Sequence, residues 1–312
     1  MKSSHVLLIP VFIAASVHAD VLSDLSPFLG SQRPQFDPAT LEPDLAVENP
    51  SWAPFSPADS DLGVQQVLGV YRGCSPVKVT FDTSISYTDN APGETTLDDA
   101  SSWFSASRLT LNWRPLLIHG WFADVGLAAE LYRFEGDKAV DFENYEPYVG
   151  VVKSIPELHD LLFFARYEYQ RLTTDNSASN YNAQRIRVGL QKDLLLTSRN
   201  QISAGVDAAF DISAHQEALE RNTYSADVSY TYWFADHLSS TVSWTGSYWD
   251  FNNGGREDWS HIVGLELTWL PCEHARVYTN VFYTNHNSNA ASGANDFEAW
   301  QSGLGVGFNY SF

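Results

Sequence analysis

WQSGLGVGFNYSF, residues 300–312, reads as two interleaved sequences. Trp300, Ser302, Leu304, Val306, Phe308, Tyr310 and Phe312 make one; Gln301, Gly303, Gly305, Gly307, Asn309 and Ser311 make the other. Successive residues of a β-strand point to opposite faces. The stretch is therefore a strand with an apolar, aromatic-ended face and a small, polar face. The apolar face needs either a core or lipid to cover it. The rest of the chain has to say which.

From Pro76 onward the same period of two continues. Val77, Val79, Phe81, Thr83, Ile85 and Tyr87 alternate with Lys78, Thr80, Asp82, Ser84 and Ser86. Trp259, His261, Val263, Leu265, Leu267 and Trp269 alternate with Ser260, Ile262, Gly264, Glu266 and Thr268. Twelve such segments are expected, near 76–87, 103–114, 120–134, 143–153, 160–172, 182–193, 200–212, 223–235, 237–250, 258–270, 274–285 and 299–312. Most reach the roughly 9–11 residues that a tilted strand needs to cross a bilayer. Connector length is a second signal. Short or proline-bearing links such as KSIPELHD, ADH and WLPCEH alternate with longer polar ones such as TDNAPGETTLDDASS and TNHNSNAASGANDFEA. KDLLLTSRN is the least regular link, because its leucines could extend a strand.

A soluble sandwich would also alternate, with a Leu/Ile/Val-rich apolar face. Here aromatics cluster at the ends of the apolar rows, as at Trp121, Tyr230 with Tyr232, and Trp259 with Trp269. Rings at both water–lipid boundaries are the girdles of transmembrane barrels. The opposite faces, rich in Ser, Thr, Gly and charged residues, cannot form a dry core cheaply. The expected fold class is all-β: an antiparallel up-and-down transmembrane barrel of twelve strands with an extended N-terminal arm.

Bulk properties agree. The chain has 312 residues, 44% of them hydrophobic, and a mean hydropathy of −0.23. Its one apolar run, Val6 to Val17 after Met1-Lys2, reads as a signal peptide over 1–19, cut before Asp20. Residues 20–75 are rich in proline and acids and lack a period, as expected of a periplasmic arm or plug. The barrel occupies 76–312. A formal charge of −20 excludes nucleic acid as an electrostatic partner. The partners expected are outer-membrane lipid and a periplasmic protein on the arm. Neither cofactor nor metal site is expected.

Alternation also assigns the inner face. Arg108, Arg166, Arg185 and Arg187, with Asp124, Glu130, Asp207 and Asp211, are expected there as lumen and selectivity residues, opposed across the pore to give a transverse field. The alternative is that they neutralise one another as buried pairs in a filled barrel. Bulky inward residues such as Tyr132, Tyr148, Phe164, Tyr278 and Phe282 should narrow the bore, with Tyr278 and Phe282 leaning over Gly303, Gly305 and Gly307. Cys74 and Cys272 fall at the same end of the barrel, roughly two strand spacings or about 10 Å apart. A bridge between them requires the segment before the first strand to bend across.

The chain resembles the bacterial outer-membrane β-barrels of the porin-like kind. The resemblance covers about residues 76–312 and is architectural, with no single family matched. It implies an integral outer-membrane protein with both termini periplasmic. It also implies that Tyr310 and Phe312 form the C-terminal signal read by the β-barrel assembly machinery. Its functional implication is a narrow channel for small hydrophilic solutes. The alternative is a filled barrel whose arm binds a periplasmic partner. An enzyme is not expected: outer-membrane phospholipases place a His and a Ser two residues apart on the lipid face, whereas His261 is flanked there by Trp259 and Val263.

Overall fold

The computed structural model describes residues 76–90, 101–118, 120–135, 141–158, 160–174, 181–215, 219–252, 255–290 and 296–312. The expected signal peptide, the arm and Cys74 lie outside the described residues. The strands are β1 (Val77–Thr88), β2 (Ser102–Trp113), β3 (Leu116–Ile118), β4 (Trp121–Phe134), β5 (Phe142–Ile155), β6 (Leu161–Thr174), β7 (Tyr181–Thr197), β8 (Asn200–Ala214), β9 (Arg221–Ala235), β10 (Leu238–Phe251), β11 (Glu257–Cys272), β12 (Ala275–Ser288) and β13 (Phe297–Ser311).

Twelve of these close into an antiparallel barrel. Each pairs with its neighbours in sequence, and β1 pairs with β13 to complete the ring. β3 is a three-residue ribbon on the turn between β2 and β4. At the seam, Val77 N donates to Phe312 O at 3.1 Å and Phe312 N to Val77 O at 3.0 Å. Closure leaves no barrel strand with a free edge, the condition a sheet must meet to cross lipid.

Each of the twelve expected segments is one of these strands. The largest difference is at β7, which runs on through Leu194, Leu195 and Leu196 to Thr197 before turning at Ser198-Arg199. Apolar residues suit a strand at the lipid surface better than a solvated link. A second irregularity lies within β5, where Pro147 occupies a mid-strand position. The β5–β6 ladder skips Glu146 and Pro147, resuming at Tyr148↔Glu168. Proline has no N–H to give the ladder, so pairing lapses locally while β4 still holds the other side. Gly120, at φ 75°, turns the chain into β4, a conformation an L side chain resists.

The molecule is apolar outside and polar inside. Ile85 and Leu304 are 62% exposed on the outer face, while Asp124 on the inner face is 0% exposed. Aromatic pairs ring the outer surface at both ends. Tyr87–Trp103, Tyr248–Trp259 and Tyr283–Trp300 lie at the long-loop end, with centroids 5.5, 4.6 and 4.9 Å apart. Tyr232–Phe234 and Tyr310–Phe312 lie at the short-turn end, at 5.0 and 5.3 Å. Between them runs an aliphatic band that includes Val149, Val242 and Leu265. This is the boundary chemistry of a bilayer.

Leu265→Arg places a charge in the middle of that band and should lower stability by about 2–4 kcal/mol. Thr268→Arg, on the inner face of the same strand, should cost under about 1 kcal/mol. Equilibrium urea unfolding in phospholipid vesicles measures both.

Candidate functional site: the lumen

All eight charged residues expected in the lumen point inward. The structure joins them into a polar network on one wall, across β2 and β4–β8. Asp124 accepts hydrogen bonds from Arg114 Nε at 2.9 Å, Arg166 Nε at 2.5 Å and Asn112 Nδ2 at 2.8 Å. Arg187 binds Glu168 through Nε at 3.0 Å and Asp207 through Nη1 at 2.8 Å. Arg185 lies 3.3 Å from Asp211 and donates to Gln170 Oε1 at 2.7 Å. From Gln170 the chain of bonds continues to Asn144 at 3.1 Å, to Glu130 at 3.1 Å, and by ion pairing to Arg108 at 3.4 Å.

Geometry explains this connectivity. Register Arg166↔Arg187 sets like charges on neighbouring strands, and registers Glu168↔Arg185 and Arg185↔Asp211 set opposite ones, so these guanidinium groups find carboxylates across strands rather than along one. Arg166, Glu168, Arg185 and Arg187 are all at most 6% exposed. Charges buried this deeply are stable only when paired and hydrogen-bonded. The amides Asn112, Asn144 and Gln170 were not anticipated from sequence. Alternation places them inward, but nothing in it marks them as links.

A separate pair, Arg276–Asp82, spans the seam at 2.6 Å. At the long-loop end Asp258 accepts from Arg256 Nε at 3.0 Å and from Ser288 Oγ, with His286 Nε2 at 3.4 Å. The His286 ring stacks on Phe297 and lies tilted against Trp249, each at 5.0 Å between centroids. Alternation also faces Asp258 and His286 inward, so parity was the signal that could have found this group.

Glycine governs how the large inward residues lie. A side chain at Gly126 would strike the Tyr148 ring, one at Gly189 the Phe164 ring, and one at Gly305 the Tyr278 ring. Each ring therefore lies flat along the wall over a bare backbone, not across the bore. Tyr278 covers Gly305 as expected, but Phe282 turns the other way, over Gly264 of β11. Gly307 lies under Arg276 and Asp82, and Gly303 under Ser86 and Asn280. The direction of Phe282 follows from its register: it faces Gln301 on β13 and Gly264 on β11, and only the glycine leaves room.

Towards the long loops the inner wall becomes apolar. Phe104, Tyr132, Phe142, Leu172, Trp249 and Phe282 belong to one buried cluster drawn from β2, β4–β7 and β10–β12. A smaller cluster, Phe122, Val152, Leu162 and Phe164, sits near the short turns. Ser260 is buried inside the barrel while His261 faces outward against Trp244, at 6.1 Å between ring centroids. The two lie on opposite sides of the wall and form no catalytic pair. Cys272 is exposed at the short-turn end of β11.

No protein-family model and no curated protein sequence matches the chain. Solved structures do. An outer-membrane channel from Pseudomonas putida F1 superposes with a TM-score of 0.54 at 10% identity, covering 75% of this chain and 96% of that one. The fold is that of an outer-membrane β-barrel. The NanC porin gives a TM-score of 0.43 at 13% identity over 73% of this chain and 98% of that one. The DcaP outer-membrane channel of Acinetobacter baumannii gives 0.42 at 8% over 75% and 96%. At these identities the likeness concerns architecture alone.

Asp124→Asn removes the carboxylate shared by buried Arg114 and Arg166, and should cost about 3–5 kcal/mol. Asp82→Asn should cost about 1 kcal/mol or less, because the Arg276 side chain is 35% exposed and water screens the loss. Denaturant unfolding of the refolded barrel compares them.

Proposed function

We propose that the protein is a narrow, porin-like channel of the bacterial outer membrane that passes small hydrophilic solutes. In this reading the short turns and both strand ends at the seam face the periplasm. The observation that carries it is the covering of inner-wall glycines by Tyr148, Phe164, Tyr278 and Phe282. Rings laid flat keep free a lumen that the same rings would otherwise cross. Twelve strands fall between small barrels filled by side chains and the wide barrels of 16 or more strands that leave a channel. Flat packing tips that balance towards a pore. The paired charges of β2 and β4–β8 then act as selectivity residues. Arg108, Arg166, Arg185 and Arg187, fixed against Asp124, Glu130, Asp207 and Asp211, give one wall a field that orients passing ions and dipoles.

One feature favours a closed barrel as the second reading. Tyr132 and Phe142 of the apolar cluster are 0% and 1% exposed although they face inward. There, the arm over residues 20–75 would serve a periplasmic partner instead of a transport path. Deleting residues 20–73 separates the readings: a changed conductance belongs to a channel, and loss of a co-purifying periplasmic protein belongs to an adaptor.

Residues 20–312 refolded in detergent and added to a planar bilayer should give discrete, reproducible current steps. Folded, heat-modifiable protein that leaves the bilayer silent would defeat the channel reading. Arg185→Gln with Arg187→Gln leaves Glu168, Asp207 and Asp211 less compensated. The K+/Cl− permeability ratio from reversal potentials should rise by about threefold or more.

A further inference from the structure

The lumen has two chemically different walls. Opposite the charge network, β9 and β10 present hydroxyls at position after position. Ser225, Ser229 and Thr231 of β9 face Ser247, Ser243 and Thr241 of β10 in register. All six are half-buried, and two of the pairs bond to each other, Thr231–Thr241 at 2.9 Å and Ser247–Ser225 at 3.2 Å. A row of small hydroxyl residues alone is ordinary barrel lining.

The adjoining strands add an independent observation. Ser260 Oγ, Thr284 Oγ1, Asn280 Oδ1 and both amide atoms of Gln301 are buried with no hydrogen-bond partner among the described residues. Their residues are 1–3% exposed, and all four point inward. They are continuous with the hydroxyl rows. Ser260 pairs with Ser247 on β10, and Asn280 pairs with Glu266, which pairs with Thr241. Buried donors and acceptors left unmatched carry an uncompensated desolvation penalty, so a ligand that satisfies them regains it.

We propose that this wall is a binding track for uncharged polyhydroxylated solutes, that is, sugars and polyols. The inference rests on the channel reading above and names its substrate class. Neutral hydroxyls and amides offer donors and acceptors in equal measure, which suits a ligand whose own groups are both at once. Two carboxylates, Asp227 and Glu266, lie among them. Glu266 accepts from Thr268 Oγ1 at 2.7 Å. Asp227 and Glu266 accept hydroxyl protons from a sugar and repel anionic ones. The arginines that would attract anions are held by carboxylates, those of the charge network on the opposite wall and, on this side, Arg276 by Asp82 and Arg256 by Asp258.

The test is titration of sugars into the chamber during ion-current recording on the refolded barrel. Glucose and sorbitol should reduce the K+ current along a saturating curve, and gluconate should act several-fold more weakly. Thr241→Val with Gln301→Leu should raise the half-blocking concentration of sorbitol by about fivefold or more. Heat-modifiable gel migration like that of the parent protein shows that the variant folds. A block that only follows solution viscosity would overturn the proposal. So would an unshifted variant, or gluconate blocking as well as glucose. A protein that carries no current at all defeats the channel reading instead. Calorimetric titration of sorbitol into the detergent-refolded barrel then decides the track by itself: heat that the double variant abolishes supports it, and no heat rejects it.

Discussion

A peptide N–H or C=O left unpaired in hydrocarbon costs several kcal/mol, and a sheet that crosses a bilayer has no water to repair the loss. Everything else here depends on how the chain meets that demand. The partners lie on neighbouring strands, so the sheet must close on itself, and the register between β1 and β13 is what closes it. Once the ring is shut, each residue's parity fixes whether it meets lipid or lumen. Aliphatic and aromatic side chains go outward, where they would be a liability in water, and charge goes inward.

Inside the ring a second constraint takes over. A twelve-stranded lumen has little room, so every large inward residue needs a place to lie. Bare glycines on adjacent strands provide it for Tyr148, Phe164, Tyr278 and Phe282, while Phe104, Tyr132, Phe142 and Trp249 belong to a buried cluster. Charges need partners as well as space, and the partners sit across strand pairs. The result is a lumen of uneven character: ion pairs and bridging amides on β2 and β4–β8, hydroxyls and amides from β9 round to β13. The barrel axis thus runs between a fixed field on one side and neutral hydrogen-bonding groups on the other.

The strands were legible because two unrelated properties, period two and alternating connector length, agreed along the whole chain. Parity then carried the inward assignment of the eight charged residues from Arg108 to Asp211. What parity could not give was the neighbour. Which carboxylate holds Arg187, or whether Phe282 leans on β13 or β11, depends on register across strands and on where a glycine leaves room. Neither quantity is periodic in one strand's sequence. Pro147 shows the same limit: the expected segment 143–153 runs through it, but nothing in one strand's sequence tells that pairing lapses only on the β6 side. The leucines of β7 were ambiguous for a related reason: an apolar link and an apolar strand end look alike until lipid is known to be adjacent.

The seam also has a consequence in time. Every other strand pair joins segments close together in the chain, but this one brings Trp300 N to Asp89 Oδ1 across 211 residues at 2.7 Å. Loop-closure entropy for such a separation is about 5 kcal/mol, and no local contact can offset it early. Hairpins can zip in sequence order, yet the first strand keeps an open edge until the last one arrives. An exposed edge recruits whatever strand comes near, including one from another copy. The seam that abolishes edges in the finished barrel is therefore the slowest part to make and the place where assembly is most open to error.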